Sequence, residues 1–329
     1  VLEGSVQKVG NALRVTAQLL DAKDGTHLWA DSYDRELSAA SVFAVQDEIS
    51  EHVVASIAGS HGVISRARFA EIREKPTESL DAFEWVLKAQ AYDRDNWSAP
   101  AHAKLRDGLE QAVKSAPDFA DAWAWLSIVY VDEHKFSFNL QPDPLGRALT
   151  AARRAVFLEP SSQVAHHALA NVYFFQHELD AFLGEMERTI SLNPNHAATL
   201  LEMCNLLLNM GDERGIDFVR KAVALDPFHP TWFNQPIAQY HFDRGDYYES
   251  LVAARKADVP GDFWHPVFLA VIYAELGRQG DASAAVEELL RMYPGFTIEK
   301  YIEEDRKWNV SDERIRHWAS ALRKAGLPE

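Results

Sequence analysis

The chain has 329 residues, 47% of them apolar, enough for two or three packed units. Its 33 Lys and Arg face 49 Asp and Glu, a net charge of −16. That balance excludes duplex nucleic acid or an anionic membrane surface as the main partner, because phosphate binding needs a basic face. One cysteine, Cys204, excludes an internal disulfide framework and a Cys-rich metal site. No run approaches the roughly 18 apolar residues of a membrane span. The opening Val-Leu-Glu has neither a charged start nor an apolar core, so residue 1 reads as a cut inside a larger protein.

Residues 1–76 read as strands followed by helix. Leu13, Val15, Ala17 and Leu19 alternate with Arg14, Thr16 and Gln18, the period of a half-buried strand. Gly10-Asn11 turns Val1–Lys8 back onto it, and Asp24-Gly25 leads into a third strand over Thr26–Tyr33. A helix then presents Val42, Val45, Ile49 and Val53 on one face, and Ser65–Lys75 reads as a charged helical linker. Three strands and a helix bury little surface alone, so they are expected to be half of an α/β domain with a free sheet edge. Such an edge recruits other chains, and a homodimer through residues 1–35 is expected.

From residue 77 onward a period takes over. Pro117, Pro160, Pro194, Pro227, Pro260 and Pro294 close similar phrases at intervals of 43, 34, 33, 33 and 34 residues, the length of a helix-turn-helix repeat. The long first interval holds a polar insert, Phe138–Gly146. Within each period the first helix carries a large residue, a leucine, a small residue and an aromatic. Trp123, Leu126, Ser127 and Tyr130 take these places once; His166, Leu169, Ala170 and Tyr173 again; Pro266, Leu269, Ala270 and Tyr273 last. Positions three and four apart share a helix face, so the small residue admits the paired helix and the aromatic fills the gap between repeats. An earlier repeat over Ser79–Pro117 has Trp85, Ala89 and Tyr92 on its first helix, with Leu109 and Ala112 on its second. Pro236 stands in a leucine place and is expected to kink its helix. After Pro294 the period ends. Ser311-Asp-Glu starts a helix with Ile315, Trp318, Ala319 and Leu322 on one face, the pattern of a terminal cap with one polar side.

On these residues the array over 77–294 resembles the tetratricopeptide repeat family, with Gly277, Ala282 and Pro294 marking the closest repeat. The resemblance implies a mainly α, right-handed superhelix of six repeats, preceded by a small partial α/β domain. Val1–Val6, Arg14–Leu19, His27–Ala30, Tyr33–Arg35 and Phe43–Glu48 are together similar to the second half of the TolB-like amino-terminal domain. The expected organisation is a partial TolB-like domain over 1–64, a helical linker over 65–76, six repeats over 77–294 and capping helices over 295–329. The TolB-like resemblance, joined to the repeats and the Leu322–Glu329 ending, implies the C-terminal regulatory part of a class III adenylate/guanylate cyclase-like bacterial signalling protein. The alternative is a small-ligand-sensing or scaffolding region behind a winged-helix transcription regulator. The cytoplasm is the expected compartment, or the periplasm if a membrane span precedes.

Candidate chemistry is sparse. Glu48 and His52 lie one helical turn apart with no third ligand in sight, so no metal is expected. His166, His167 and His177 read as packing or partner-contact residues, and Cys204 takes a small-residue place where it should be buried and inert. There is no Walker-type phosphate loop and no H-E-x-x-H. No catalytic residue and no cofactor are expected, and the chain should not make cyclic nucleotide.

The family's geometry instead points certain first-helix positions into a concave groove. These positions are Asp121, Asp132, His167 and Asn171; Phe174, Phe175, Asn205 and Asn209; and Asn234, His241, Phe242 and Trp264. A protein or peptide is the expected partner, with the asparagines meeting its backbone and the phenylalanines its apolar side chains. No Lys or Arg falls at these positions, so an acidic C-terminal tail is not the expected ligand. A long open groove would favour a peptide, and a closed pocket a small molecule.

Overall fold

The computed structural model describes residues 1–38, 41–58, 62–73, 75–76, 79–95, 98–226, 229–257 and 263–329. Its first element is an antiparallel meander in the order β1 (Leu2–Val9), β2 (Ala12–Leu20) and β3 (His27–Glu36). Val9 pairs with Ala12 across Gly10-Asn11, and Gly10 takes the left-handed φ of 60° that a two-residue hairpin turn requires. Helix α1 (Val42–Ala58) covers β2 and β3, packing Val45 and Ile49 on Tyr33, and Ile57 on Leu19. Arg35 donates to Glu48 Oε1 at 2.6 Å and fixes the helix to β3. Strand β1 receives none of this cover and is exposed along its whole length. Val42, expected on the buried face, is also exposed; it is the first residue of α1, beyond the strands' reach. The supposed linker is helix α2 (Val63–Arg73), which buries Val63 and Ile72.

Twelve helices then form six antiparallel pairs: α3 (Ala82–Asp95) with α4 (Ala99–Ser115), α5 (Ala120–Phe136) with α6 (Pro144–Leu158), and α7 (Gln163–Phe175) with α8 (Leu179–Leu192). They continue as α9 (Ala197–Asn209) with α10 (Arg214–Leu225), α11 (Gln235–Asp243) with α12 (Tyr247–Lys256), and α13 (Trp264–Glu275) with α14 (Gln279–Met292). Second helices stop one residue short of Pro117, Pro160, Pro194 and Pro294, since proline removes the next hydrogen bond. Pro227 and Pro260 lie outside the described residues. First helices touch one another down the array, α3 to α5 to α7 and α9 to α11 to α13, so they line the inner face.

Close approach within each pair depends on the small residues. Ala170 and Ala270 are fully buried. Ser127 is equally buried and donates its hydroxyl to Ala148 O at 2.9 Å. Cys204 is wholly buried too, and burial pushes its thiol pKa up, so it packs rather than reacts. Pro236 does not kink a helix. It lies in the first turn of a shortened α11, where no donor is needed, and a 3-10 turn over Thr231–Asn234 replaces the missing helical residues. Glu133 is fully buried and holds the insert after α5. It accepts from Gln141 N, Arg106 and Arg147, while Asn139 Nδ2 donates to Ala99 O.

The turn after the first helix uses glycine in three pairs, Gly211, Gly245 and Gly277, with φ of 82°, 79° and 69°. In the α7–α8 pair the same left-handed place holds His177, with φ of 61°, a conformation a side chain adopts only at a cost.

Two glycines give a paired test. A Cβ on Gly108 would lie 2.4 Å from three ring atoms of the buried Trp85, whereas a Cβ on the exposed Gly184 in α8 would meet nothing. Gly108→Ala is expected to destabilise the chain by about 1–3 kcal/mol through overpacking. Gly184→Ala should stabilise it by roughly 0.5–1 kcal/mol through helix propensity. Urea unfolding of both variants checks the contrast.

Candidate functional site: an inner face closed by the C-terminal helices

The terminal helices do not form a simple cap. Helix α15 (Ile298–Lys307) and helix α16 (Asp312–Ala325) pack on α13 and α14, but the turn between them crosses the inner face. Trp308 sets its ring edge-on to Phe175, centroids 5.1 Å apart. Asn309, left-handed at φ 53°, donates to Phe174 O at 2.8 Å and bonds to the imidazole of His177. Arg314 donates to Leu208 O at 3.1 Å and pairs with Asp243 at 3.4 Å. Trp318 donates to Asp243 Oδ1 at 2.9 Å and packs on Phe242, centroids 4.8 Å apart. One segment thus touches α7, α9 and α11, which corrects the reading of residues 295–329 as a bland cap.

Closure decides the fate of the expected groove residues. Phe174, Phe175 and Phe242 are buried; the chain's own Trp308 and Trp318 take the place of a partner's side chains. Asn171 is 1% exposed and donates to His167 O at 3.3 Å. His167 Nε2 lies 2.9 Å from Glu202, which also accepts from Lys135 at 3.1 Å, and Asp132 lies 3.9 Å from Lys135. Burial opposes ionisation of Glu202, but Lys135 and His167 outweigh it and hold the carboxyl well below its usual range. The inner face carries two cations outside the repeat positions, Lys135 and Arg314, and both are matched by acids. Asp121 is half-buried beside Glu159, and burial with that neighbour pushes its carboxyl pKa up. Asn234 bonds to Thr231 O within its own turn, and His241 faces Asp246 at 3.7 Å.

Asn205, Asn209 and Trp264 remain, and the structure brings these three together in one partly enclosed cavity of about 100 Å³. Trp232, Gln235, Gln239 and Phe268 join them from α11, α13 and the 3-10 turn, and Phe136 from the end of α5. Asp305, Trp308, Arg314 and Trp318 close it from the C-terminal side. Gln239 donates to Asn209 Oδ1 at 3.1 Å, and Arg314 reaches the same oxygen at 3.5 Å. Repeat positions alone could not find the closing residues, because they come from outside the repeats. One signal was available: Trp308 follows a helix whose last five residues, Glu303–Lys307, are all charged.

Elsewhere, Glu48 is engaged by Arg35, and the described residues contain no group of three His, Cys, Asp or Glu placed to hold a metal. No helix among them is long and apolar enough to cross a membrane.

The fold is a helical-hairpin solenoid of the tetratricopeptide type with a small three-stranded sheet before it. Among solved structures, the APC/C hetero-tetramer Cut9-Hcn1 is similar at a TM-score of 0.56 and 13% identity, over 87% of this chain and 48% of that one. A tetratricopeptide repeat protein from Parabacteroides merdae is 15% identical over 74% of this chain and 98% of its own, at a TM-score of 0.43. In sequence, the chain is 32% identical over 187 residues to a protein of Rhizobium meliloti (strain 1021) described as "Putative adenylate cyclase 3". The match takes in 55% of this chain, which spans only 30% of that relative's length. No model of a known protein family matches the chain.

Asp305 gives a test by pH. Burial pushes its carboxyl up to about 6, only partly offset by Arg314. A carboxyl near 3.8 in the unfolded chain and near 6 in the folded one makes the folded state bind the proton more tightly. Stability is therefore lost as pH rises from 4 through 6, and no further above. Asp305→Asn removes that loss and is expected to stabilise the chain at pH 8 by up to about 2–3 kcal/mol, with little effect at pH 4. Thermal melts of both proteins at the two pH values check the sign.

Proposed function

We propose that this chain is the non-catalytic, protein-interacting regulatory region of a larger adenylate cyclase-like signalling protein. The observation that carries the reading is the 32% identity over 187 residues to a relative described as a cyclase, of which this chain spans 30%. The helix pairs supply a surface for another protein or domain, and the similarity of residues 1–64 to half of a TolB-like domain agrees with a regulatory segment beside an effector. Catalysis would reside in sequence outside this chain, and the cytoplasm is the compartment this reading implies.

Mechanistically, the solenoid would act on how catalytic domains pair. Such control needs different affinities for the active and inactive arrangements. Strand β1 offers one route, since it is exposed along its length and, among the described residues, pairs only with β2. An edge of that kind can add a strand from a second copy or from an upstream segment.

The test is cyclic nucleotide formation from ATP and manganese by the full-length gene product, with and without residues 77–329. Turnover is expected from both proteins, with the deletion changing its rate several-fold. No product from either sinks the cyclase reading; equal rates sink the regulatory role.

A further inference from the structure

The cavity beneath the C-terminal helices is lined by a buried acid, Asp305, with which the nearby Arg314 makes no close ion pair. Asp305 is 5% exposed and lines a space walled by indoles. Among the described residues no cationic nitrogen lies within 4.0 Å of its carboxylate. Arg314, also in the wall, is paired instead with Asp243 and held by Leu208 O. The Asp305 carboxylate is thus left without a close ion pair in a largely apolar enclosure. A buried carboxylate with no close ion pair is costly.

The walls suit a positive charge. Indole faces attract cations through their quadrupole, more strongly where water is excluded. Two of the protein's own cations already use this lining: Lys135 sits 5.6 Å from the Trp308 ring and Arg314 5.3 Å from that of Trp318. Trp232 and Trp264 complete the enclosure. The Asn205 carboxamide meets no partner among the described residues, so it can bond a polar end of a guest. About 100 Å³ is well below the ~300 Å³ at which drug-sized pockets begin, which limits the guest to a few heavy atoms.

We propose that this cavity binds a small organic cation of the alkylated-ammonium class, seated among the tryptophans with Asp305 as its counter-charge. An anion would face the buried Asp305 carboxylate, and a neutral guest would leave it without a close ion pair. The proposal does not depend on the cyclase reading, because its test needs only the present chain.

Choline and tetramethylammonium are titrated against the chain, read by tryptophan fluorescence and by calorimetry. The neutral isostere of choline, with carbon in place of the ammonium nitrogen, is the control on the same unaltered protein. Saturable binding of the cations is expected, with the isostere weaker by about tenfold or more. Asp305→Asn, which should keep the fold, is expected to weaken choline by a similar factor, as is Trp264→Leu. Absence of saturable binding by either cation overturns the proposal. So does equal binding of the isostere, or unchanged affinity in the Asn variant.

Discussion

Asn309 is the joint on which the inner face depends. Its left-handed backbone turns the chain from α15 to α16, and its side chain bonds to the end of α7, more than 130 positions earlier in sequence. With that contact made, Trp308 lies against Phe175. Arg314 and Trp318 then reach the ends of α9 and α11. Without it, Phe175 and Phe242 would lose their tryptophan cover, part of the roughly 1.5–3 kcal/mol that full burial of such a side chain contributes. His177 belongs to the same joint. It tolerates a backbone conformation that its sister repeats assign to glycine, and its imidazole meets Asn309.

Much of the fold could be read from residue spacing because the determining contacts are local. Ser127, Ala170 and Ala270 recur where two helices must touch, and each is wholly buried. Gly10-Asn11 and the alternation from Leu13 to Leu19 define a hairpin over a few residues. Gly108 would have been harder to find. Its need for a bare Cα arises only from the indole of Trp85 on the partner helix.

The site was less legible, and the reason is range. Phe175 and Phe242 fall on repeat positions, but nothing nearby in sequence announces that Trp308 and Trp318 pack on them. Asn205, Asn209 and Trp264 were found because the repeat geometry points them inward, whereas Asp305 and Arg314 obey no repeat. Lys135 was missed because it falls outside the usual inward positions, yet it reaches Glu202 on α9. Period-based reasoning finds the walls of such a cavity and misses its lid.

A chain of helical hairpins joined only to their neighbours is a coil spring, and tension at either end stretches it by small rotations at every joint. The bond from Asn309 to α7 removes that freedom from the pairs between α7 and α14. Pulling on the C-terminal helix would load one short turn, in shear, before any rotation between α8 and α14 could begin. The helices from α7 to α14 behave as a closed link, stiff until the turn gives way and then able to open as one unit.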